Sequence, residues 1–233
     1  MIKKDNKVIV ILGATSSGKT SLGIKLAALF NGEIVSADSR QVYRGMDIGT
    51  GKDLPDYQIV ENGKKRKIKY HLIDVASPRS VFSLAKYQKL AFKAIDQIIA
   101  QGRLPIVVGG SGLYLQALVD NYQLSKIKPD NLLRQELEKL DKTELQERLQ
   151  KINFQFFSKL NNSDKNNPRR LVRYIEILSQ EAGFRAGGGP EKYDFLLLGL
   201  ECPQEKLNKR IKQRLLSRLD EGLLAEIKKL HRL

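Results

Sequence analysis

Gly13-Ala14-Thr15-Ser16-Ser17-Gly18-Lys19-Thr20 fits the pattern G-x-x-x-x-G-K-[ST] and stands between the apolar run VIVILG (8–13) and a helical pattern from Thr20 to Phe30. Strand, glycine-rich turn and helix in that order are the context a phosphate-binding loop requires, so a chance match in a loop is the minor reading. The glycines let backbone N–H groups close around an anion, and the helix N-terminus adds the positive end of its dipole. Lys19 supplies a mobile positive charge. The Thr20 hydroxyl suits a magnesium ion carried in with the phosphates. The loop alone does not distinguish a nucleoside triphosphate from another diphosphate.

Outward from this loop, short apolar runs at 33–38 (EIVSAD), 70–75 (YHLIDV), 104–110 (LPIVVGG) and 194–200 (DFLLLGL) read as strands buried on both faces. Helical patterns at Thr20 to Phe30 and Leu84 to Gln101 alternate with them. This predicts an α/β fold, a P-loop NTPase-like parallel sheet core with a helical insertion. Residues 1–120 are assigned to the core, 121–190 to the insertion, and 191–233 to a return to the core through a strand and a basic helix.

Within the insertion, Leu132, Leu133, Leu137, Leu140, Leu145, Leu149 and Ile152 recur at helical spacing, and Asp141 with Glu144 predicts a capping box. Gly187-Gly188-Gly189-Pro190 predicts a break. Lys64-Lys65-Arg66-Lys67 behind Asn62-Gly63 reads as a solvated hairpin, with nucleic-acid contact the minor reading. The basic helix starts near Gln204. Gly222 interrupts its apolar stripe, at a cost of about 1 kcal/mol against alanine, so one unbroken helix is disfavoured. That stripe reaches Leu230 without a stop signal, which leads us to expect a truncated chain.

The formal net charge of +15 is the main compositional clue. An excess of this size attracts polyanions through counterion release, although lysine-rich surfaces also serve solubility. With 41% hydrophobic and 29% charged residues the chain has the composition of an ordinary globular protein. It has no run of about 18 apolar residues that would span a membrane. The N-terminal apolar run is too short for a signal peptide, so a cytoplasmic protein is expected. The single cysteine, Cys202, excludes an internal disulfide and reads as a structural thiol.

Asp38-Ser39-Arg40-Gln41-Val42-Tyr43 lies at the C-terminal end of the second strand, the edge where open α/β sheets bind ligands. Asp38 can serve as a general base, as a ligand to magnesium-bound water, or simply as a helix N-cap. Asp74 is an analogous candidate better suited to a turn, and His71 reads as a satisfied core group. Gly109-Gly110-Ser111-Gly112-Leu113-Tyr114 follows the fourth strand, where glycines permit close approach and Ser111 can donate to a phosphate or a base. Arg169, Arg170 and Arg173 cluster at the start of a helix whose apolar side includes Leu171. Any one of them reads as a solvated face; three together point to RNA or diphosphate.

The blocks GATSSGKTSL, SADSRQVYRGMDIGTGK, YHLIDV, PIVVGGSGLYLQAL and NNPRRLVRYIEI, in this order from about residue 8 to residue 178, resemble the tRNA dimethylallyltransferase family. DSRQVYRGMDIGT followed by GGSGLY is far more specific than the P-loop. The resemblance implies that dimethylallyl diphosphate occupies the loop from Gly13 and Ala14 to Thr20, with Thr15 and Lys19 joining Asp38 in catalysis and magnesium near Thr20. It makes Asp38 the base that accepts a proton from the exocyclic amine of the adenine 3′ of the anticodon, with diphosphate as leaving group. It places Asp38, Ser39, Arg40, Gln41, Ser111, Arg169, Arg170, Leu171, Val172 and Arg173 along the path of a tRNA anticodon stem-loop, with Arg134 a further contact. A monomer is expected.

The chain departs from the family pattern in three places. The family usually continues past Leu233 through a further helical segment, and Ser111 stands where a threonine is common, keeping the hydroxyl. Glu181-Ala182-Gly183-Phe184-Arg185 replaces a threonine-glycine-lysine stretch, so no role is carried onto it. The main rival reading is a small-molecule or nucleotide kinase, which would use the same loop for phosphoryl transfer. A nonenzymatic RNA-binding protein is the third.

Overall fold

In the computed structural model, which describes residues 6–61, 63–124, 127–180 and 188–232, the chain opens with β1 (Lys7–Gly13), α1 (Lys19–Leu29) and β2 (Gly32–Ser36). A single 3-10 turn (Leu54–Tyr57) then leads into β3 (Gln58–Glu61), β4 (Lys64–Lys67) and β5 (Tyr70–His71). After these come α2 (Leu84–Ala100), β6 (Leu104–Val108) and α3 (Gly112–Val119). Five helices follow: α4 (Asn131–Leu137), α5 (Lys142–Ile152), α6 (Phe154–Lys159), α7 (Asn162–Lys165) and α8 (Pro168–Gln180). Last are β7 (Asp194–Leu200), α9 (Gln204–Asp220) and α10 (Leu223–His231).

Strands β5-β2-β6-β1-β7 form one parallel sheet, and β3 pairs antiparallel with β4 as the hairpin expected around Gly63; Asn62 lies outside the described residues. The two-residue period of a strand sends alternate side chains to opposite faces. Val8, Val10, Val35 and Val107 thus pack with Tyr87, Ala91 and Ile95 of α2 and with Leu115 and Leu118 of α3. Ile11, Ile34, Ile106 and Val108 face Ile24 and Ala27 of α1. Both faces of the three central strands are covered, which is why they read as continuous apolar runs.

Two of the expected strands differ. The run at 70–75 keeps only two ladder residues, because Leu72 and Asp74 adopt left-handed backbone at φ +64° and +59° and turn the chain away from β2. β7 is not buried on both faces: among the described residues it pairs only with β1, and as the sheet's edge strand it leaves Leu196 57% and Leu197 51% exposed. The basic helix is divided at Gly222, which takes φ +100°, into α9 and α10.

The chain divides into two compact units, one of Met1–Asn121 with Gly189–Leu233, the other of Tyr122–Gly188. In the second, Leu137, Leu145, Leu149, Leu171, Val172, Ile175 and Leu178 form the core. The Asp141 capping box is present in full, its carboxylate accepting the Glu144 N–H and the Glu144 carboxylate accepting the Asp141 N–H. In the predicted break, Gly187 and the neighbouring stretch Glu181 to Arg185 lie outside the described residues.

Candidate active site

The phosphate loop forms between β1 and α1 because Gly18 takes φ +98° at the residue before the helix, a left-handed conformation that costs glycine nothing sterically. Lys19 Nζ folds back onto the Ala14 carbonyl at 2.5 Å. The Ser17 hydroxyl is buried and, among the described residues, has no hydrogen-bond partner. A buried polar atom without a partner calls for a ligand or a water, and this one lies in a loop built for oxyanions. Ser16 and Thr20 are half-buried, and Thr15 is exposed.

Burial holds the Lys19 pKa below the ordinary lysine value; Asp38 acts against that shift and Arg214 adds to it. Asp38 and Arg214 are thus the charged groups that act on Lys19. Arg214 projects from α9, where its Nη1 donates to the Ser16 hydroxyl at 3.2 Å and its Nη2 meets Asp53. One turn earlier, Arg210 Nη1 donates to the Ser16 carbonyl at 3.2 Å. The loop is therefore flanked by two arginines from the end of the chain.

Asp38 lies just past the C-terminal end of β2, half-buried, and its Oδ1 accepts the N–H groups of Arg40 at 2.8 Å and Gln41 at 3.3 Å. Both bonds fix the turn that carries Ser39, Arg40 and Gln41. On the neighbouring strand end, the Ser111 hydroxyl accepts the Ser39 N–H at 2.9 Å while the Ser111 N–H donates to the Ala37 carbonyl at 3.2 Å. Gly109 makes this approach possible, since a Cβ there would fall 2.1 Å from the Ala37 oxygen. The structure thus brings Asp38 to Gln41 and Ser111 together at the loop's edge of the sheet.

The segment after Gln41 is fastened by residues that the sequence reading did not single out. Lys52 is 1% exposed, and its ammonium donates to the Tyr43 carbonyl at 2.8 Å, to Asp47 at 2.5 Å and to Asp74. Asp74 is accordingly an ion-pair partner within a turn. Gln41 Nε2 donates to the Gly51 carbonyl at 3.0 Å. From α10, the Glu226 carboxylate accepts the N–H groups of Asp47, Ile48 and Gly49 at 2.8, 2.8 and 2.9 Å. The i, i+4 spacing of Arg210 and Arg214 in a basic helix was the only sequence signal for these contacts. Nothing local to Lys52 or Glu226 announced a partner.

His71 lies on the edge strand β5 in register with Val35, its Nε2 2.6 Å from the buried Glu33 carboxylate, which also meets Lys69 and Arg103. Burial is the largest influence and raises the Glu33 pKa. Hydrogen bonds from His71, Lys69 and Arg103 outweigh it and hold the carboxyl below the usual range.

In the second unit the predicted tRNA contacts fall into three groups. Leu171 is fully buried and Val172 nearly so, in the core of that unit, so neither side chain stands at its surface. Arg134 and Arg173 surround the buried Glu176: Arg134 Nε and Nη2 donate to its two oxygens at 2.6 and 2.8 Å, and Arg173 Nη1 at 3.1 Å. Burial pushes the Glu176 pKa up, but Arg134, the Asp130 N–H and Arg173 together hold it below the usual range. Arg170 pairs with Asp164 at 2.5 Å, and Arg169 is exposed.

Residues 41–233 match the family model described as IPP transferase. Over 226 residues the chain is 43% identical to tRNA dimethylallyltransferase 2 of Citrifermentans bemidjiense, covering 96% of this chain and 69% of that protein. The full-length tRNA isopentenylpyrophosphate transferase of Bacillus halodurans is 36% identical with a TM-score of 0.63, covering 97% of this chain and 70% of that one. A eukaryotic dimethylallyltransferase solved acting on tRNA is 30% identical with a TM-score of 0.78, covering 97% of this chain and 56% of that one.

Proposed function

The chain belongs to the IPP transferase family, and from that premise we propose that it transfers a dimethylallyl group from dimethylallyl diphosphate to an adenine exocyclic amine in tRNA, releasing diphosphate. The observation that carries the reading is a cationic oxyanion loop after β1 at the same sheet edge as the Asp38 carboxylate after β2, with only β6 between the two strands. Lys19, flanked by Arg214, lies within electrostatic range of Asp38.

In this reading the diphosphate lies in the loop from Gly13 to Thr20, against its N–H groups, the Ser17 hydroxyl, Lys19 and the guanidinium of Arg214. As the amine nitrogen attacks the allylic carbon, a C–N bond forms and the carbon–oxygen bond to diphosphate breaks. Negative charge grows on the departing oxygens, where preorganised donors stabilise it best. The proton leaves the amine for Asp38. Its Oδ1 already accepts two backbone N–H groups, so Oδ2 is the oxygen that takes the proton. The exposed Thr15 completes the loop's rim.

Among the described residues no group of three or more His, Cys, Asp or Glu side chains is arranged to hold a metal ion. A magnesium ion nevertheless fits this site, because such an ion takes most of its oxygens from substrate and water. The Thr20 hydroxyl would hold it, and when bound it would supply positive charge to the leaving diphosphate.

For the nucleic acid we propose the anticodon stem-loop, with the adenine 3′ of the anticodon extruded toward Asp38. Ser39, Arg40, Gln41 and Ser111 would line its path, and the exposed Arg169 with Arg170 would meet phosphates. Arg134 and Arg173 enter this scheme with their charges shared with Glu176. The protein is proposed to act as a monomer in the cytoplasm; among the described residues no helix is long and apolar enough to cross a membrane. The kinase reading is not favoured, since the matched relatives are named as dimethylallyltransferases.

The test is to incubate the chain with dimethylallyl diphosphate and unmodified tRNA, digest the tRNA to nucleosides and weigh them. A prenylated adenosine is expected with the wild type and is expected to vanish with Asp38→Ala. Unmodified adenosine throughout would refute the proposal.

A further inference from the structure

Residues 47–49 are joined to α10 by bonds that no part of the proposed chemistry uses, whereas Asp53 farther along pairs with Arg214 of the diphosphate side. Three consecutive N–H groups, those of Asp47, Ile48 and Gly49, converge on the Glu226 carboxylate, two on Oε2 and one on Oε1. Successive N–H groups arranged in this way form an anion-binding concavity, and charge-assisted bonds to a carboxylate are the stronger kind. The approach is close. A Cβ on Gly49 would lie 3.3 Å from Glu226 Oε1 and 3.4 Å from Leu223 Cδ1. Gly51, at φ +61°, lies so near the Arg218 guanidinium that a Cβ there would fall 1.7 Å from it.

From this clamp a hydrogen-bond path leads to Asp38. The loop held by Glu226 continues to Gly51, whose carbonyl accepts Gln41 Nε2 at 3.0 Å. The Gln41 N–H in turn donates to Asp38 Oδ1 at 3.3 Å, and its side-chain oxygen accepts the Ser36 hydroxyl at 3.2 Å. Lys52 braces the same segment from beneath through Tyr43, Asp47 and Asp74. Glu226 is half-buried and is directed at backbone donors, with no part in the phosphate loop.

We propose that Glu226 is a positioning residue: by filling the N–H concavity of 47–49 it fixes the segment that orients Gln41 and Asp38, so that the nucleotide side of the site is set from α10 and the diphosphate side is not. The proposal rests on the reading of Asp38 as the base. Removing the carboxylate should therefore separate two properties that an unspecific loss of stability would lower together.

Glu226→Gln and Glu226→Ala test it. The glutamine keeps the shape but replaces one acceptor oxygen by an amino group that cannot face an N–H; the alanine removes both acceptors. Amide hydrogen exchange in the peptide containing Asp47 to Gly49 should quicken by at least about tenfold in Glu226→Ala, and less in Glu226→Gln, as local opening becomes easier. Exchange in the Gly13 to Thr20 peptide and the affinity for inorganic diphosphate should stay unchanged. In prenyl transfer, kcat/KM for tRNA should fall by roughly tenfold or more, as small misplacements of a catalytic group do.

Unchanged exchange at 47–49 in both variants, or faster exchange with unchanged tRNA kinetics, overturns the proposal. So does an equal loss of diphosphate affinity. Should Glu226→Ala fail to fold, the isosteric glutamine variant carries the decision. A wild type that transfers no prenyl group would overturn the functional reading instead, and the exchange result would still decide whether Glu226 is the clamp.

Discussion

Arg214 Nη1 donates to the Ser16 hydroxyl at 3.2 Å across 198 positions of sequence, so the phosphate loop at the start of the chain takes one of its cations from near the end. A charge-assisted hydrogen bond is worth about 1.5–3 kcal/mol. Arg214→Ala should therefore raise the KM for dimethylallyl diphosphate by roughly ten- to hundredfold. Arg214→Lys should recover only part of that loss, because a lysine keeps the charge but not the planar fork that reaches Ser16 and Asp53 together. Steady-state kinetics with saturating tRNA measures both.

Asp38→Asn keeps an Oδ1 that can accept from Arg40 and Gln41, so the turn should survive. The proton acceptor is lost. A positioned base contributes about 10²–10⁴-fold, so kcat should fall by that factor while diphosphate affinity, measured by calorimetry, holds. A parallel loss of diphosphate binding would show that Asp38 acts through the loop instead.

Ser111 and Gly109 make a contrasting pair. Ser111→Thr keeps the hydroxyl that accepts the Ser39 N–H and should retain activity, whereas Ser111→Ala removes it and should lower kcat with little effect on stability. Gly109→Ala forces a Cβ against the Ala37 carbonyl and should cost about 3 kcal/mol or more in denaturant unfolding.

The phosphate loop, the parallel sheet and the Asp38 turn were legible because each is a local pattern. Glycines fall at a fixed spacing, apolar runs have strand length, and an Asp follows a strand. Lys52, Arg214 and Glu226 were not legible, since their partners lie far away in sequence and only the fold brings them near. β7 misled for a related reason: DFLLLGL reads as a buried strand, yet its place in the strand order makes it an edge. Leu171 and Val172 sit among arginines in sequence, and the helix turns them inward, away from the face that carries Arg169.

The buried carboxylates predict how stability responds to acid. Glu33 and Glu176 have folded-state pKa values below the ordinary glutamate value, so the unfolded chain binds more protons as pH falls through that range. Their stabilising contribution is present above the unfolded pKa and is lost as pH falls through the folded one. Denaturant midpoints measured from neutral pH downward should fall for the wild type. The gap to Glu33→Gln should narrow across the same window, and a gap that stays constant or widens would contradict the assignment.

Exposed Arg169 should act through phosphate alone. Arg169→Ala should weaken tRNA binding and reduce the slope of log affinity against log salt by about 1. Unchanged affinity and slope would remove this arginine from the tRNA path.

In the proposed reaction the anion in the phosphate loop is the leaving group of a prenyl donor. The most direct measurement offers the chain unmodified tRNA together with either carbon-labelled dimethylallyl diphosphate or γ-labelled ATP, and follows label into tRNA alongside release of diphosphate. We predict prenyl label in tRNA with diphosphate released in equal amount, and no phosphate label transferred from ATP. Phosphate transfer without prenyl incorporation would mean that the loop holds a nucleotide and not a prenyl donor.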